Sequence, residues 1–164
     1  MLFLEQLTEA LLKLRQPSLH DLREALGTLQ STKELIAPYV TEPEHLPYGR
    51  NVLFRSAYVE AIVVHIPAYR KTFIHDHGSS IGCAQVLEGS ILNSIYALNN
   101  LGETAFASQT LVKEGQLVLA PSGQVHQMIN PGNRRAVSLH LYTPPLAGTK
   151  SFRRDEEYVL DYVI

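Results

Sequence analysis

The stretch that decides the fold is GQLVLAPSGQVHQMIN, residues Gly115 to Asn130. It follows the pattern G-x5-P-x-G-x2-H-x3-N at every position, with Pro121, Gly123 and His126 at the inner fixed sites. A glycine turn starts a strand, Pro-x-Gly then turns the chain sharply, and the next strand presents the histidine. The stretch therefore predicts two short strands joined by a tight turn, with His126 displayed on the second.

A second stretch, HDHGSSIGCAQVLEG, supplies two more histidines, His75 and His77. Alternate side chains of a strand share a face, so both imidazoles can point the same way while Asp76 points the other way. Histidine is a common metal ligand. We therefore expect His75 and His77 to meet His126 across the interior of a barrel, and we do not expect Asp76 to join them.

The rest of the chain divides into a helical part and a β part. Residues 1–40 carry leucines at helical spacing, with Pro17 ending a first helix and Ser18 capping a second. From Asn51 to about residue 145, short apolar runs alternate with Gly, Pro and Asn, which is typical of a sandwich or barrel. We predict an all-β core preceded by short α-helices. The first helix is expected to bury Leu4, Leu7, Leu11 and Leu14, the second Leu19, Leu22, Leu26 and Leu29, and a third short helix to span about 32–38.

Together these stretches resemble the cupin superfamily, whose first motif reads G-x5-H-x-H-x3,4-E-x6-G. His75, His77 and Gly89 match, but Tyr69 stands at the leading glycine and Gly82 at the glutamate. The resemblance implies a jelly-roll barrel, with residues 1–164 as one domain and 51–145 as its barrel core. It also implies a metal site of three histidines that lacks the usual carboxylate ligand.

The missing carboxylate has a chemical consequence. Three neutral imidazoles leave the full charge on a divalent metal, which favours an anionic ligand and leaves coordination positions open for it. A thiolate suits such a site, because metal coordination stabilises deprotonated sulfur.

Two further stretches narrow the resemblance. YGRN holds Tyr48 and Arg50, and AVSLHLYTPPL holds Ser138, His140 and Tyr142 on one face of a strand by alternation. With the cupin motifs, these look like cysteine dioxygenase, in its bacterial more than its mammalian form. The likeness covers most of the chain.

This resemblance implies an Fe(II) enzyme that adds both atoms of O₂ to the sulfur of L-cysteine, giving cysteine sulfinic acid. Arg50 would bind the substrate carboxylate, for which its guanidinium fork is suited, and Tyr48 would be a secondary binding residue. Tyr142, His140 and Ser138 would form a catalytic hydrogen-bonded chain beside the iron. The resemblance also suggests a cis bond between Thr143 and Pro144.

The single cysteine, Cys83, follows the position at which mammalian members carry a cysteine bonded to the tyrosine matched by Tyr142. Here Gly82 occupies that position, as in many bacterial members. On a strand Cys83 faces away from Gly82. We therefore predict no Cys–Tyr crosslink, and a Cys83 that is a small buried apolar residue.

Three other functions are compatible with these motifs. A 3-mercaptopropionate dioxygenase is the nearest alternative, although such enzymes often have glutamine where Arg50 stands. A metallocupin isomerase using Mn, Ni or Zn would need no Ser–His–Tyr chain. A non-catalytic cupin that senses a ligand or metal is a third alternative.

The composition indicates which partners and which compartment to expect. The chain of 164 residues has an apolar fraction of 45% and a net charge of −2, which argues against a nucleic-acid or anionic-membrane partner. One cysteine permits no internal disulfide, and no stretch is apolar enough to span a bilayer. We expect a cytoplasmic monomer whose partners are L-cysteine and O₂.

Overall fold

The computed structural model describes residues 2–152. Three helices come first, and ten strands follow in two five-stranded antiparallel sheets. The helices are α1 (Phe3–Leu12), α2 (Leu19–Leu29) and α3 (Lys33–Ile36), with a 3₁₀ turn at Ala37–Tyr39. The strands are β1 (Gly49–Arg55), β2 (Glu60–Ile66), β3 (Ile74–His75), β4 (Ile81–Glu88), β5 (Ser90–Leu98), β6 (Thr104–Lys113), β7 (Leu117–Ala120), β8 (Val125–Ile129), β9 (Ala136–Thr143) and β10 (Ser151–Phe152).

The strand order is β1-β2-β9-β4-β7 in the first sheet and β10-β3-β8-β5-β6 in the second. Neighbours in sequence are often not neighbours in space, so the chain crosses between the sheets as a jelly roll does. The predicted fold class, an all-β cupin barrel preceded by short helices, is confirmed. Of the C-terminal segment, β10 is a short strand paired with β3, and the remainder lies outside the described residues.

The helices form where the sequence predicts, but three of the leucines expected to be buried are not. Ser18 caps α2 by accepting a hydrogen bond from the backbone N–H of Asp21, whose carboxylate in turn accepts one from the Ser18 N–H. In α1, however, Leu4 is exposed and Phe3 is buried with Leu7 and Leu11. The buried face of α1 therefore includes Phe3 in place of Leu4, while Leu14, which follows the helix, and Leu19 of α2 are only half-buried.

The central strands β2 and β9 of the first sheet are buried on both faces and contain no exposed residue. Val137, Leu139 and Leu141 of β9 pack outward against the helices, in one apolar cluster. The alternate residues of β9 point into the barrel, where Tyr142 joins a second apolar cluster. The helices thus cover the back of the strand whose front faces the barrel interior.

The turn in the Gly115–Asn130 motif places β8. Gly123 has a φ of +77°, a conformation that glycine adopts without strain. β8 follows, hydrogen-bonded to β3 on one side and to β5 on the other. This arrangement brings His126 of β8 directly opposite His75 of β3.

Candidate metal centre

Three histidine side chains converge inside the barrel. His75 lies at the end of β3, His77 follows just after the strand, and His126 lies on β8. One ligating nitrogen from each comes within 4.8 Å of the other two. His77 and His126 are buried and His75 is half-buried. The structure thus brings together the three histidines that the two motifs predict.

The rings of His75 and His126 are oriented by hydrogen bonds at Nδ1. Nδ1 of His75 lies 2.7 Å from the backbone carbonyl oxygen of Phe73, and Nδ1 of His126 lies 2.8 Å from Oδ1 of Asn93. Each Nδ1 therefore donates a proton, which leaves Nε2 with a lone pair. Such outer contacts fix the tautomer and aim of metal-ligating histidines.

One pair of nitrogens in the cluster is already spaced as two ligands of a single metal ion are. Nε2 of His77 and Nε2 of His126 are 3.2 Å apart. Two nitrogens bound at about 2.0–2.1 Å to one ion, at angles between octahedral and tetrahedral, lie roughly 2.8–3.4 Å apart. The donor set is three imidazoles with no carboxylate. The residues present therefore fit a divalent transition metal.

The protonation of the cluster favours ligation as well. Burial, and to a smaller extent the neighbouring His75, lower the pKa of His77 to about 4. Burial and the other histidines hold the pKa of His126 well below its ordinary value. Near neutral pH these rings are uncharged, which is the form that binds metal.

Asp76 lies between two of these histidines and does not join them. Its Oδ1 accepts hydrogen bonds from the backbone N–H of Gly78 at 3.1 Å and of Lys150 at 2.8 Å. The carboxylate instead ties the segment before β10 to the chain around His75, as the alternation of a strand indicated.

A hydrogen-bonded chain runs along β9 beside the cluster. Oγ of Ser138 lies 2.7 Å from Nε2 of His140, and Nδ1 of His140 lies 2.9 Å from the hydroxyl of Tyr142. All three side chains are buried and none faces solvent. The ring of Tyr142 lies 5.1 Å from the ring of His77, between centroids. The Ser–His–Tyr chain therefore ends next to the histidine cluster.

Burial keeps this chain neutral. It lowers the pKa of His140 to about 3, with smaller contributions from the nearby His77, His75 and Arg50. Burial also raises the pKa of Tyr142 far above its ordinary value. A neutral imidazole donates one hydrogen bond and accepts one, so His140 can join both hydroxyls without carrying charge.

Gly82 and Cys83 of β4 face opposite sides of the first sheet. A Cβ atom at Gly82 would lie 2.6 Å from two ring carbons of Tyr142, so the ring packs directly on the glycine backbone. Cys83 belongs to the apolar cluster under the helices, and it is 2% exposed. Burial raises the pKa of its thiol to about 11, which makes it a weak nucleophile.

A cavity of about 530 Å³ is lined by two of the three histidines, His75 and His77. Its wall includes the two substrate-binding candidates, Tyr48 and Arg50, together with Tyr142 and His77. Burial raises the pKa of the Tyr48 hydroxyl, so it is a neutral hydrogen-bonding group. The guanidinium of Arg50 contributes positive charge to the same space.

Two residues of this region escaped the sequence analysis. Asn93 of β5 contacts His126, and Glu60 of β2 forms an ion pair with Arg50 at 3.7 Å. Asn93 is a polar residue within the mostly apolar strand SILNSIYAL, and Glu60 is the first residue of the mostly apolar strand EAIVVHI. That interruption is the only signal the sequence carries, and it does not say which partner the residue meets.

Within residues 2–152, no helix has the length and apolar character needed to cross a membrane.

Comparison with known proteins gives one family and many structures of the same fold. The family described as cysteine dioxygenase type I matches residues 44–155, more than half of the chain. An uncharacterised double-stranded β-helix protein from Klebsiella pneumoniae is 22% identical, with a TM-score of 0.57 over 73% of this chain and 95% of its own. A cupin-2 domain from Rhodospirillum rubrum is 14% identical, with a TM-score of 0.55 over 76% and 80%. The Cnp3 cupin domain of Schizosaccharomyces pombe is 17% identical, with a TM-score of 0.53 over 65% and 70%. At these identities the structures bear on the fold alone.

Proposed function

Because this chain belongs to the cysteine dioxygenase type I family, we propose that it oxidises the thiol of L-cysteine with O₂ to cysteine sulfinic acid. Both oxygen atoms end on sulfur, and the four electrons that sulfur loses reduce O₂, so no further reductant is needed. The observation that carries the proposal is the three-histidine cluster, two of whose members, His75 and His77, line the same cavity as Arg50 and Tyr142.

His75, His77 and His126 would hold Fe(II), the metal that family membership favours. When bound, ferrous iron supplies the redox centre at which O₂ reacts with a thiolate. The three imidazoles are neutral and leave the charge of the ion uncompensated, which favours an anionic sulfur ligand over a neutral one. The contacts with Phe73 and Asn93 would hold the rings of His75 and His126 in the orientation that binds the ion.

Arg50 would bind the carboxylate of the substrate. Its guanidinium lies in the cavity wall and offers donors in a fork that matches a carboxylate. Tyr48 would add a hydroxyl from the same wall. These two side chains hold the amino acid so that its sulfur lies over the histidines, and this positioning supplies a large share of the rate.

Tyr142 would donate a hydrogen bond to the reacting oxygen or to the substrate carboxylate. Its raised pKa keeps the proton on the hydroxyl, so it acts as a donor and not as a phenolate. His140 orients that hydroxyl, and Ser138 orients His140. The neutral chain fixes one direction of the Tyr142 hydroxyl without adding charge beside the metal.

The same proposal extends to the setting of the protein. We expect a monomer in the cytoplasm, where a reducing environment keeps both Cys83 and the free cysteine substrate as thiols. Light scattering on the purified protein tests the monomer.

O₂ uptake by protein loaded anaerobically with Fe(II) tests the activity, with L-cysteine, 3-mercaptopropionate and cysteamine compared. Rapid uptake with L-cysteine and formation of the sulfinate are expected. Preference for 3-mercaptopropionate would change the substrate and keep the chemistry. No uptake with any thiol, despite bound iron, would leave a metal-binding cupin of another function.

A matched pair of variants links the activity to the cluster. His126→Ala should lose stoichiometric iron and all uptake above background. His65→Gln changes a buried histidine whose Nδ1 contacts the carbonyl oxygen of Thr41 at 2.9 Å, away from the cluster. It should keep both iron and activity.

A further inference from the structure

Glu60 is the one acidic side chain that the fold buries within residues 2–152, at 1% exposure. It opens β2, where it interrupts an apolar run, and its register partner on β9 is Tyr142. Burial of a carboxylate is costly unless opposite charge and hydrogen bonds compensate it. A buried carboxylate next to a proposed catalytic tyrosine therefore needs an explanation from its contacts.

The contacts of Glu60 divide between its two oxygens. Oε1 lies 3.7 Å from Nη2 of Arg50 and accepts a hydrogen bond from the backbone N–H of Leu146 at 3.3 Å. Oε2 lies 3.4 Å from Nη1 of Arg55, its register partner on β1. One oxygen thus faces the cavity wall, to which Arg50 and Leu146 belong, and the other faces the sheet edge.

The register shows how far Arg50 must reach. Arg50 pairs with Val64, which is four residues further along β2 than Glu60. A strand rises about 3.3 Å per residue, so these positions are roughly 13 Å apart. An ion pair between Arg50 and Glu60 therefore requires both side chains to extend toward each other along the inner face. In that conformation the guanidinium stays beside the cavity.

An arginine without such a contact would be mobile. The side chain of Arg50 is 36% exposed, so solvent is open to it. Immobilising a free arginine costs side-chain entropy, which a substrate would otherwise have to offset on binding. A fixed anion at one end of the guanidinium removes much of that cost before the substrate arrives.

We propose that Glu60 is a positioning residue that holds Arg50 ready for the carboxylate of a thiol substrate, and so sets the preference for thiols that bear a carboxylate. This inference rests on the proposed function of Arg50. Glu60 itself touches no substrate, because it acts through Arg50. We call Arg50 and Glu60 together the carboxylate clamp. The hydrogen bond from the Leu146 N–H also joins this clamp to the segment after β9, which lines another part of the cavity.

The test compares anaerobic binding of L-cysteine and cysteamine, which lacks the carboxylate, to the Fe(II)-loaded protein by calorimetry. Glu60→Gln keeps the shape and an acceptor for the Leu146 N–H, but loses the charge. We expect it to weaken L-cysteine binding about tenfold, as loss of a charge-assisted contact does, and to leave cysteamine binding unchanged. A residue that merely supports the fold would weaken both equally.

Two further variants keep the inference falsifiable. Glu88→Gln neutralises another carboxylate of the same sheet. Glu88 pairs with Arg135 at 3.1 Å, and neither residue lines the cavity. This variant should alter the affinity for neither L-cysteine nor cysteamine. In an Arg50→Gln background, Glu60→Gln should cause no further loss of L-cysteine affinity, because its effect passes through Arg50.

Several results overturn the inference. These are an equal loss for both thiols, tighter L-cysteine binding in Glu60→Gln, additive effects with Arg50→Gln, and a parent protein that binds both thiols equally. The activity is judged separately, by O₂ uptake. A protein that binds L-cysteine with the expected dependence on Glu60 but does not oxidise it would overturn the proposed reaction and leave the clamp intact.

Discussion

Oδ1 of Asn93 lies 2.8 Å from Nδ1 of His126, on the edge of the ring opposite the nitrogen that approaches His77. The two residues are held in place by the pairing of β5 with β8. Asn93 therefore fixes which nitrogen of His126 carries a proton and which is free to bind metal.

Asn93→Ala should lower metal affinity by about 10–100-fold, the usual effect of removing a partner of a metal-ligating histidine. Competition with a chelator of known affinity measures it. Asn93→Asp keeps the acceptor and should bind metal at least as well as the parent protein. Equal affinity in the alanine variant would mean that the barrel alone orients His126.

Tyr142→Phe should lower kcat for L-cysteine by roughly 10–100-fold, because it removes one hydrogen bond to a charged group and leaves the ring packing intact. Initial rates of O₂ uptake measure the effect. Tyr96→Phe is the matched control, since Tyr96 is also buried but its hydroxyl contacts Gln127 at 3.4 Å. Equal losses in the two variants would rule out a special role for the Tyr142 hydroxyl.

Gly82→Ala should destabilise the protein by about 1–3 kcal/mol and lower its activity, because the new methyl group collides with the ring of Tyr142. Chemical denaturation and O₂ uptake measure the two effects. Cys83→Ala changes the adjacent residue on the opposite face and should keep the activity. A Gly82→Ala variant with parental stability and rate would show that the ring of Tyr142 can move freely.

The stability of the metal-free protein should fall as the pH drops below about 6.5. His140 has a folded-state pKa of about 3, below its unfolded value, so the unfolded chain binds more protons between these values. The stabilisation from neutral His140 is fully present above the unfolded pKa, and it is lost as the pH falls from the unfolded pKa to the folded pKa. For each such histidine, the free energy of unfolding falls by up to about 1.4 kcal/mol for each unit by which the pH drops. Urea unfolding at pH 7, 6 and 5 measures the decline, and a His140→Asn variant should show a shallower one.

Much of the candidate site could be predicted from the sequence, because the positions of its side chains depend on local patterns. Alternation alone places Ser138, His140 and Tyr142 on one face of a strand, and the turn motif delivers His126. The cis bond between Thr143 and Pro144 also agrees with the family resemblance. Each of these expectations depends on neighbours within a few residues.

The expectations that failed or were missing depend on distant neighbours. Whether Phe3 or Leu4 is buried depends on how α1 docks on the sheet, which helical spacing does not reveal. Asn93 and Glu60 matter only through His126 and Arg50, and the strand pairing that joins Asn93 to His126 spans 33 positions of sequence. A polar residue in an apolar run is visible, but its partner is set by tertiary structure.

The two faces of β9 give the chain an unusual sensitivity to insertions. Odd-numbered positions of this strand pack against the helices, and even-numbered positions face the barrel interior. Adding one residue early in the strand would reverse that parity and turn the Ser–His–Tyr chain toward the helices, with every one of its residues still present. A change in the length of β9 would therefore remove this chain from the cavity more completely than a conservative substitution elsewhere in the strand would.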